Sequence, residues 1–309
     1  MKDNSGTSLI QFGTLQKLLI FICGGGWMIS NAVQVSLGIL LDQIHEEWGI
    51  SYILQSLVSI ATMIGSFTGC FFWGILADRY GRRPMFTKVL LFIFLGLIIA
   101  DFSPNIWMLA PCYIIVGFGL GGSYTVDGNV FLEYCPHNKQ YLLTSLSALS
   151  SLGSCFPPAL ILIYKSLGTP YLWQLVQGTL GLIALLISIP RFWIKETPAF
   201  LLSKHKTTEV FELIHQMSPQ QDKESLLQSI LEASPLEKTE ERPALVQLKC
   251  LFRKPFRKLT ILYLAIWCGS SFTFTGVSSF LPVILRRAGF SSNGSGIYLT
   301  MLLQQLGKN

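Results

Sequence analysis

Residues 74–84, GILADRYGRRP, set Asp78, Arg79, Arg82 and Arg83 among Gly74, Gly81 and Pro84, between two long apolar runs. None of these side chains is a nucleophile; their chemistry is charge and directed hydrogen bonding. An acid such as Asp78 at a membrane surface is costly unpaired. A helix N-terminus and an arginine satisfy it best. Gly74 suits close helix contact, and Gly81 suits a turn with positive φ. The stretch can therefore make and break charge pairs. A simpler reading, which bears most on Arg79, is that the arginines only hold the loop on one side of a membrane.

Other polar side chains lie inside apolar runs. Trp27, Asn31 and Gln34 recur at i, i+4 and i+7, one face of a helix. Tyr124, Thr125 and Asp127 form a second group, with Glu133 further along. Ser270, Ser271, Thr273 and Thr275 make residues 259–282 the most polar run. A polar face on a spanning helix looks at a cavity or bonds a neighbouring helix. Hydroxyls can also bond their own backbone. Gly24–Gly26, Gly117, Gly119, Gly121, Gly122 and the pair Gly65 and Gly69 read as packing positions between helices.

The elements that must position these residues are spans. Of 309 residues, 50% are hydrophobic and 13% charged, and mean hydropathy is +0.49. Soluble domains carry about 25% charged residues, so the chain is a membrane protein. Runs long enough to cross a bilayer fall at 18–40, 53–75, 86–102, 106–126, 142–164, 171–193 and 259–282. An eighth begins near Gly294. The first run, without an A-x-A-like site, reads as a retained signal anchor.

Nineteen Lys and Arg fall in alternate loops, against Lys165, Arg286 and Arg287 in the others. This places the N-terminus and the 195–258 segment in the cytoplasm. It also excludes a seven-helix receptor, whose N-terminus lies outside. The net charge of +6 is spread rather than patched, which argues against nucleic acid. The seven cysteines show no CxxC and no pairing with His, so no disulfide framework, metal site or cofactor is expected. No Ser/His/Asp or Cys/His set points to an enzyme. Asn293 opens a glycosylation sequon in an outside loop. Trp107, Trp173 and Trp193 read as interface anchors. Thr197-Pro198 and Ser218–Gln221 carry helix-start signals, so the 195–258 segment should hold short amphipathic helices.

GILADRYGRRP resembles the G-x-L-A-D-R-x-G-R-R-P motif of the major facilitator superfamily, between its second and third helices. GFGLGGSYTVDGNVFLEYCP (117–136), KETPAFLLSKHK (195–206) and GWMISNAVQV (26–35) resemble stretches of its sugar and organic-ion branch, in synaptic-vesicle-glycoprotein-like and nicotinate-transporter-like members. The likeness covers about residues 12–300. It implies an all-α major facilitator fold: an N-terminal six-helix bundle (1–194), a cytoplasmic central loop (195–258), and the start of a C-terminal bundle (259–309) truncated within helix eight.

The resemblance further implies transport of a small organic solute (organic ion, aromatic acid or sugar) by alternating access, in a plasma or vesicle membrane. Gly74, Asp78, Arg79, Gly81, Arg82 and Arg83 would form a conformational latch whose partners include the far bundle. Trp27, Asn31, Gln34, Tyr113, Tyr124, Asp127, Ser271 and Thr275 would line the cavity. The chain departs from the family at three ionisable positions. The first-helix Asp and Glu fall on Asn31 and Gln34, and the Arg of R-x-x-x-G-x-G falls on Tyr113. Proton coupling through helix one is thereby in doubt, while Asp127 stays a candidate carrier. The alternative is a transporter-like membrane protein that does not transport and acts through partners.

Overall fold

The computed structural model describes residues 13–204, 206–217, 250–287 and 295–306. Among them the chain is helical, without strands. The first four helices are α1 (Thr14–Trp48), α2 (Tyr52–Tyr80), α3 (Arg82–Asp101) and α4 (Ile106–Tyr134). A 3-10 turn at His137–Leu142 leads into α5 (Leu143–Gly153) and α6 (Phe156–Ser166), and α7 (Leu172–Arg191) follows. Two short helices, α8 (Pro198–Ser203) and α9 (Thr207–Met217), precede α10 (Arg257–Arg287) and α11 (Ser295–Leu306). Six segments among the described residues are long and apolar enough to span: α1, α2, α3, α4, Lys139–Ser166 and α7.

The helices overshoot the sequence-based spans. α1 has 35 residues and α2 and α4 have 29 each, where about 20 cross the hydrocarbon. Asp78 and Glu133 thus sit near helix ends that project toward the membrane surface. The expected span 142–164 is not one helix. It breaks at Ser154 and Cys155, whose N–H groups turn back to Ser151 and Leu152. Pro157 and Pro158 follow; they supply no donors to continue the preceding helix. The run 259–282 lies within α10, and α11 starts at Ser295. Ser218–Gln221 and Asn293 lie outside the described residues.

Glycine sets the closeness of α2 and α4. A Cβ on Gly65 would lie 2.2 Å from the Ile114 carbonyl oxygen, and one on Gly69 the same distance from that of Phe118. In return, a Cβ on Gly117 or Gly121 would lie 2.1 Å from the carbonyl oxygen of Thr62 or Ser66. The two backbones interlock, and dispersion between them replaces a hydrophobic drive that lipid does not supply. Gly119 does the same for α3, against Ile93 and Val89, and Gly153 for α1, against the Met28 carbonyl. Gly74 behaves differently: a Cβ there meets only Thr125 Cγ2, at an ordinary 3.6 Å. Close helix contact is therefore not what Gly74 provides.

At the end carrying GILADRYGRRP, α8 and α9 bury Leu201, Leu202, Val210 and Leu213 against Leu19, Ile22 and Tyr134. At the opposite end, Tyr298 and Met301 of α11 are buried with Leu40, Leu41 and Ile44. Trp107 and Trp193 are exposed as interface residues would be, but Trp173 is not. Trp173 is 2% exposed, donates to Glu47 Oε2 at 2.8 Å and packs edge-on to Trp48.

Gly121→Val is expected to lower thermal stability in detergent by about 1–3 kcal/mol or to abolish folding, because the side chain meets backbone that cannot move aside. Gly74→Ala should leave the melting temperature unchanged or raise it. Melts followed by tryptophan fluorescence would separate the two.

Candidate functional site

Two polar clusters lie one above the other at one end of the bundle. The first surrounds the turn between α2 and α3. Gly81 has φ +107°, so an L side chain there would be strained. Space is closed as well: a Cβ would lie 2.3 Å from Glu196 Oε2. Glu196, just beyond α7, caps the start of α3. Its Oε1 accepts from the backbone N–H of Arg82 at 2.8 Å and of Arg83 at 3.1 Å. A carboxylate at this end of a helix dipole is stabilising. Asp78 therefore does not meet the helix N-terminus as its chemistry led us to expect. It pairs with Arg82, Nη2 to Oδ1 at 2.8 Å.

Arg82 links three elements. Besides Asp78 it donates from Nε to Glu133 Oε1 of α4 at 3.1 Å. Arg83 donates from Nη2 to the Phe192 carbonyl at 3.0 Å. Arg79 lies 5.5 Å over the Tyr80 ring. Tyr134 Oη donates to the carbonyls of Lys195 and Glu196 at 2.6 and 3.1 Å. These described partners all belong to the bundle that carries the motif and to the segment directly after it.

The second cluster is deeper. Asp127 of α4 and Arg191, the last residue of α7, are each 0% exposed. Arg191 Nη1 donates to Asp127 Oδ1 at 2.8 Å and Nη2 to Oδ2 at 2.9 Å. The same nitrogens reach the carbonyls of Phe86 in α3 at 2.7 Å and Ile22 in α1 at 3.1 Å. Ser123 Oγ donates to Asp127 Oδ2 at 2.9 Å, and the guanidinium lies 3.8 Å over the Phe86 ring. Gly26 of α1 makes the room: a Cβ there would lie 2.0 Å from Asp127 Oδ2 and 2.1 Å from Arg191 Nη2.

The candidate cavity residues divide. Asp127 and Tyr113 are fully buried and line no open space. Asn31 donates from Nδ2 to the Ser150 carbonyl of α5 at 2.9 Å, and Ser150 Oγ donates to the Trp27 carbonyl at 3.3 Å. The polar face of α1 thus bonds a neighbouring helix. Trp27 packs near Gly128, and Trp27, Asn31 and Gln34 keep partial exposure. Tyr124 and Ser271 are exposed. Thr273 bonds its own helix at the Gly269 carbonyl. Thr275 lies in α10, and its side chain is outside the described set.

A family model described as sugar (and other) transporter matches residues 13–305. The chain belongs to this family of major facilitator transporters. It is 28% identical over 325 residues to the MFS siderochrome iron transporter 1 of Ceriporiopsis subvermispora, covering 94% of this chain and 61% of that protein. It is 25% identical to the niacin transporter NiaP of Acinetobacter baylyi, covering 96% and 66%. It is also 25% identical to the synaptic vesicle 2-related protein of Xenopus laevis, covering 87% and 47%. The chain thus spans about half to two-thirds of these relatives. Among solved structures, the partially occluded inward open conformation of the xylose transporter XylE from E. coli matches with TM-score 0.75. Identity there is 12%, over 94% of this chain and 70% of that one, so the likeness concerns the fold.

Within this family fold, two participants escaped the sequence reading. Arg191 lies inside the run 171–193, where a basic residue at a span end reads as a topology-setting charge. A lone acid at Asp127 in a span calls for a cation, and that demand was the available signal. Glu196 sat in a stretch likened to the family, but its tie to the α3 N-terminus depends on how the chain leaves α7.

Removing one member of the buried pair leaves an uncompensated charge. Asp127→Asn is expected to cost about 3–5 kcal/mol, and Asp127→Leu combined with Arg191→Met to recover most of it. Thermal melts of the single and double variants would check this. A double variant no better than the single would overturn the pairing argument.

Proposed function

We propose that this chain is the N-terminal bundle, central segment and first C-terminal helices of a transporter that moves a small organic solute by alternating access. The observation that carries the reading is the unequal bracing of its two ends. At one end, Arg82, Asp78, Glu133 and Glu196 form a charged knot around the α2–α3 turn. At the other, Gln43 of α1 donates to Tyr298 Oη of α11 at 2.6 Å, where Tyr298 is 3% exposed. The first half of α10 keeps Leu259, Tyr263 and Trp267 60–64% exposed. Contacts between the first bundle and α11 gather away from the motif, as in a state closed outside and open toward the cytoplasm.

In this reading the Lys/Arg-rich end, the N-terminus and residues 195–258 are cytoplasmic. The substrate is an organic ion, an aromatic acid or a sugar, in that order of preference; the names of two relatives, siderochrome iron and niacin transporters, are consistent with small organic solutes. The membrane is the plasma membrane or a vesicle. Transport is not driven by protons through helix one. Asn31 is an amide already bonded to α5, and Asp127 is held by Arg191. The motif acts as a latch whose pairs bias the equilibrium between the two facing states.

The latch follows from magnitudes. Asp78 is 68% exposed, so its pair with Arg82 contributes only about 0–1 kcal/mol to stability. A difference of that size between two states is enough to shift their populations severalfold. In proteoliposomes, Asp78→Asn is expected to lower the turnover rate severalfold while leaving KM within about twofold. Unchanged turnover would defeat the latch. Uptake should persist when an imposed proton gradient is collapsed; uptake that vanishes with the gradient would defeat the uncoupled mechanism.

A further inference from the structure

The segment after α7 is held at successive points, and the first of them is the buried ion pair. Arg191 is fixed by Asp127 and by the carbonyls of Ile22 and Phe86. The Phe192 carbonyl accepts from Arg83. The Lys195 and Glu196 carbonyls accept from Tyr134 Oη. Glu196 then reaches the N–H groups of Arg82, Arg83 and Thr197. Only four residues separate the residue with the buried guanidinium from the one whose carboxylate caps α3. A span that short transmits register: if Arg191 slides or turns, Glu196 moves with it. Glu196 has little room, because the cap sets its carboxylate against Gly81, where a Cβ would collide with it.

We propose that Asp127 and Arg191 are positioning residues for the α2–α3 motif. They set where the chain leaves α7, so that Glu196 arrives at the first N–H groups of α3. Ser123 assists by holding the Asp127 carboxylate, and Gly26 by leaving space for it. Asp127 is thereby given a role distinct from cavity lining and from proton carriage. The pair governs the motif from inside the bundle without touching any motif residue. This inference rests on the latch reading only for its consequence in transport; the structural claim stands apart.

The test is amide hydrogen exchange on the protein in lipid nanodiscs, read across residues 78–86. Arg191→Lys keeps a cation opposite Asp127 but cannot make the two-pronged bond together with both carbonyl bonds. It is expected to speed exchange of the Arg82 and Arg83 amides about three- to tenfold, as loss of a helix cap does. Glu196→Gln should do the same. The double variant should exchange no faster than the faster single, because both act through one cap. The turn at residues 48–52, at the far end, should be unchanged, which a general loss of stability would not leave. Ser123→Ala provides a milder second variant that should give a smaller rise in the same amides.

Exchange at 78–86 unchanged in both Arg191→Lys and Ser123→Ala would overturn the proposal. Strict additivity of Arg191→Lys with Glu196→Gln would do so as well. Faster exchange with transport unaltered would keep the positioning role and remove the latch.

Discussion

A guanidinium and a carboxylate shielded from water fix the geometry of this bundle. A charge inside a membrane bundle is tolerated only when it is paired and its remaining hydrogen-bond positions are filled. Arg191 and Asp127 meet most of that condition by recruiting four helices: α7 and α4 give the charges, α1 and α3 give carbonyls to the two terminal nitrogens, and Arg191 Nε is left without a hydrogen-bond partner among the described residues. The requirement reaches back into the sequence. Gly26 has to be glycine because both charged groups occupy the place of its Cβ. The α1 glycine run is therefore a packing feature at two levels, backbone against Leu149 at Gly24 and a polar pair against Gly26.

The same economy governs the rest of the interface. α2 and α4 approach until Gly65, Gly69, Gly117 and Gly121 each face a carbonyl of the partner helix. No lipid-derived hydrophobic force draws them together, so closeness itself supplies the attraction. Close packing then determines where α4 ends relative to α2, and with it the distance from Glu133 to Arg82. The charged knot at the α2–α3 turn is thus set by apolar contacts about 14–24 Å away along the helices, at about 1.5 Å of rise per residue. Glycine packing sets the height of the helices, and the ion pair sets the exit of α7.

How much of this was legible in the sequence follows from how local each feature is. Apolar runs mark spans because bilayer thickness imposes a length, and the spans emerged to within several residues. Helix ends did not, because α1, α2 and α4 continue beyond the hydrocarbon where hydropathy no longer signals them. The break at Ser154 was missed although Pro157-Pro158 announces it, because mean hydropathy does not register backbone donors. In the candidate site, Gly81 and its positive φ could be read from the turn itself. Glu196 at the α3 N-terminus could not, being more than a hundred residues away. Asp127 was legible as an acid needing a partner, but Arg191 was hidden by its neighbours: a basic residue at a span end looks like a topology marker. Trp173 failed for the same reason, since a tryptophan at a run end also resembles an interface anchor until Glu47 is seen to accept its indole N–H.

On the proposed reading, the location of charge also decides what this bundle can couple to. Asn31, Gln34 and Tyr113 are neutral where the resemblance to the family implies ionisable groups, and two of them have structural work instead. Asn31 ties α1 to α5, and Tyr113 is core. Asp127, a carboxylate within the α4 span, accepts two bonds from Arg191 and one from Ser123. To take up a proton from a cavity it would have to surrender those bonds while Arg191 lost its counter-charge, and α1 and α3 would lose their shared anchor. Binding energy for the conformational change must then come from the solute, through contacts that differ between the two facing states. A bundle that commits this buried pair to holding its own helices favours, on the same reading, movement of solute down its gradient over a cycle driven by protons through Asp127.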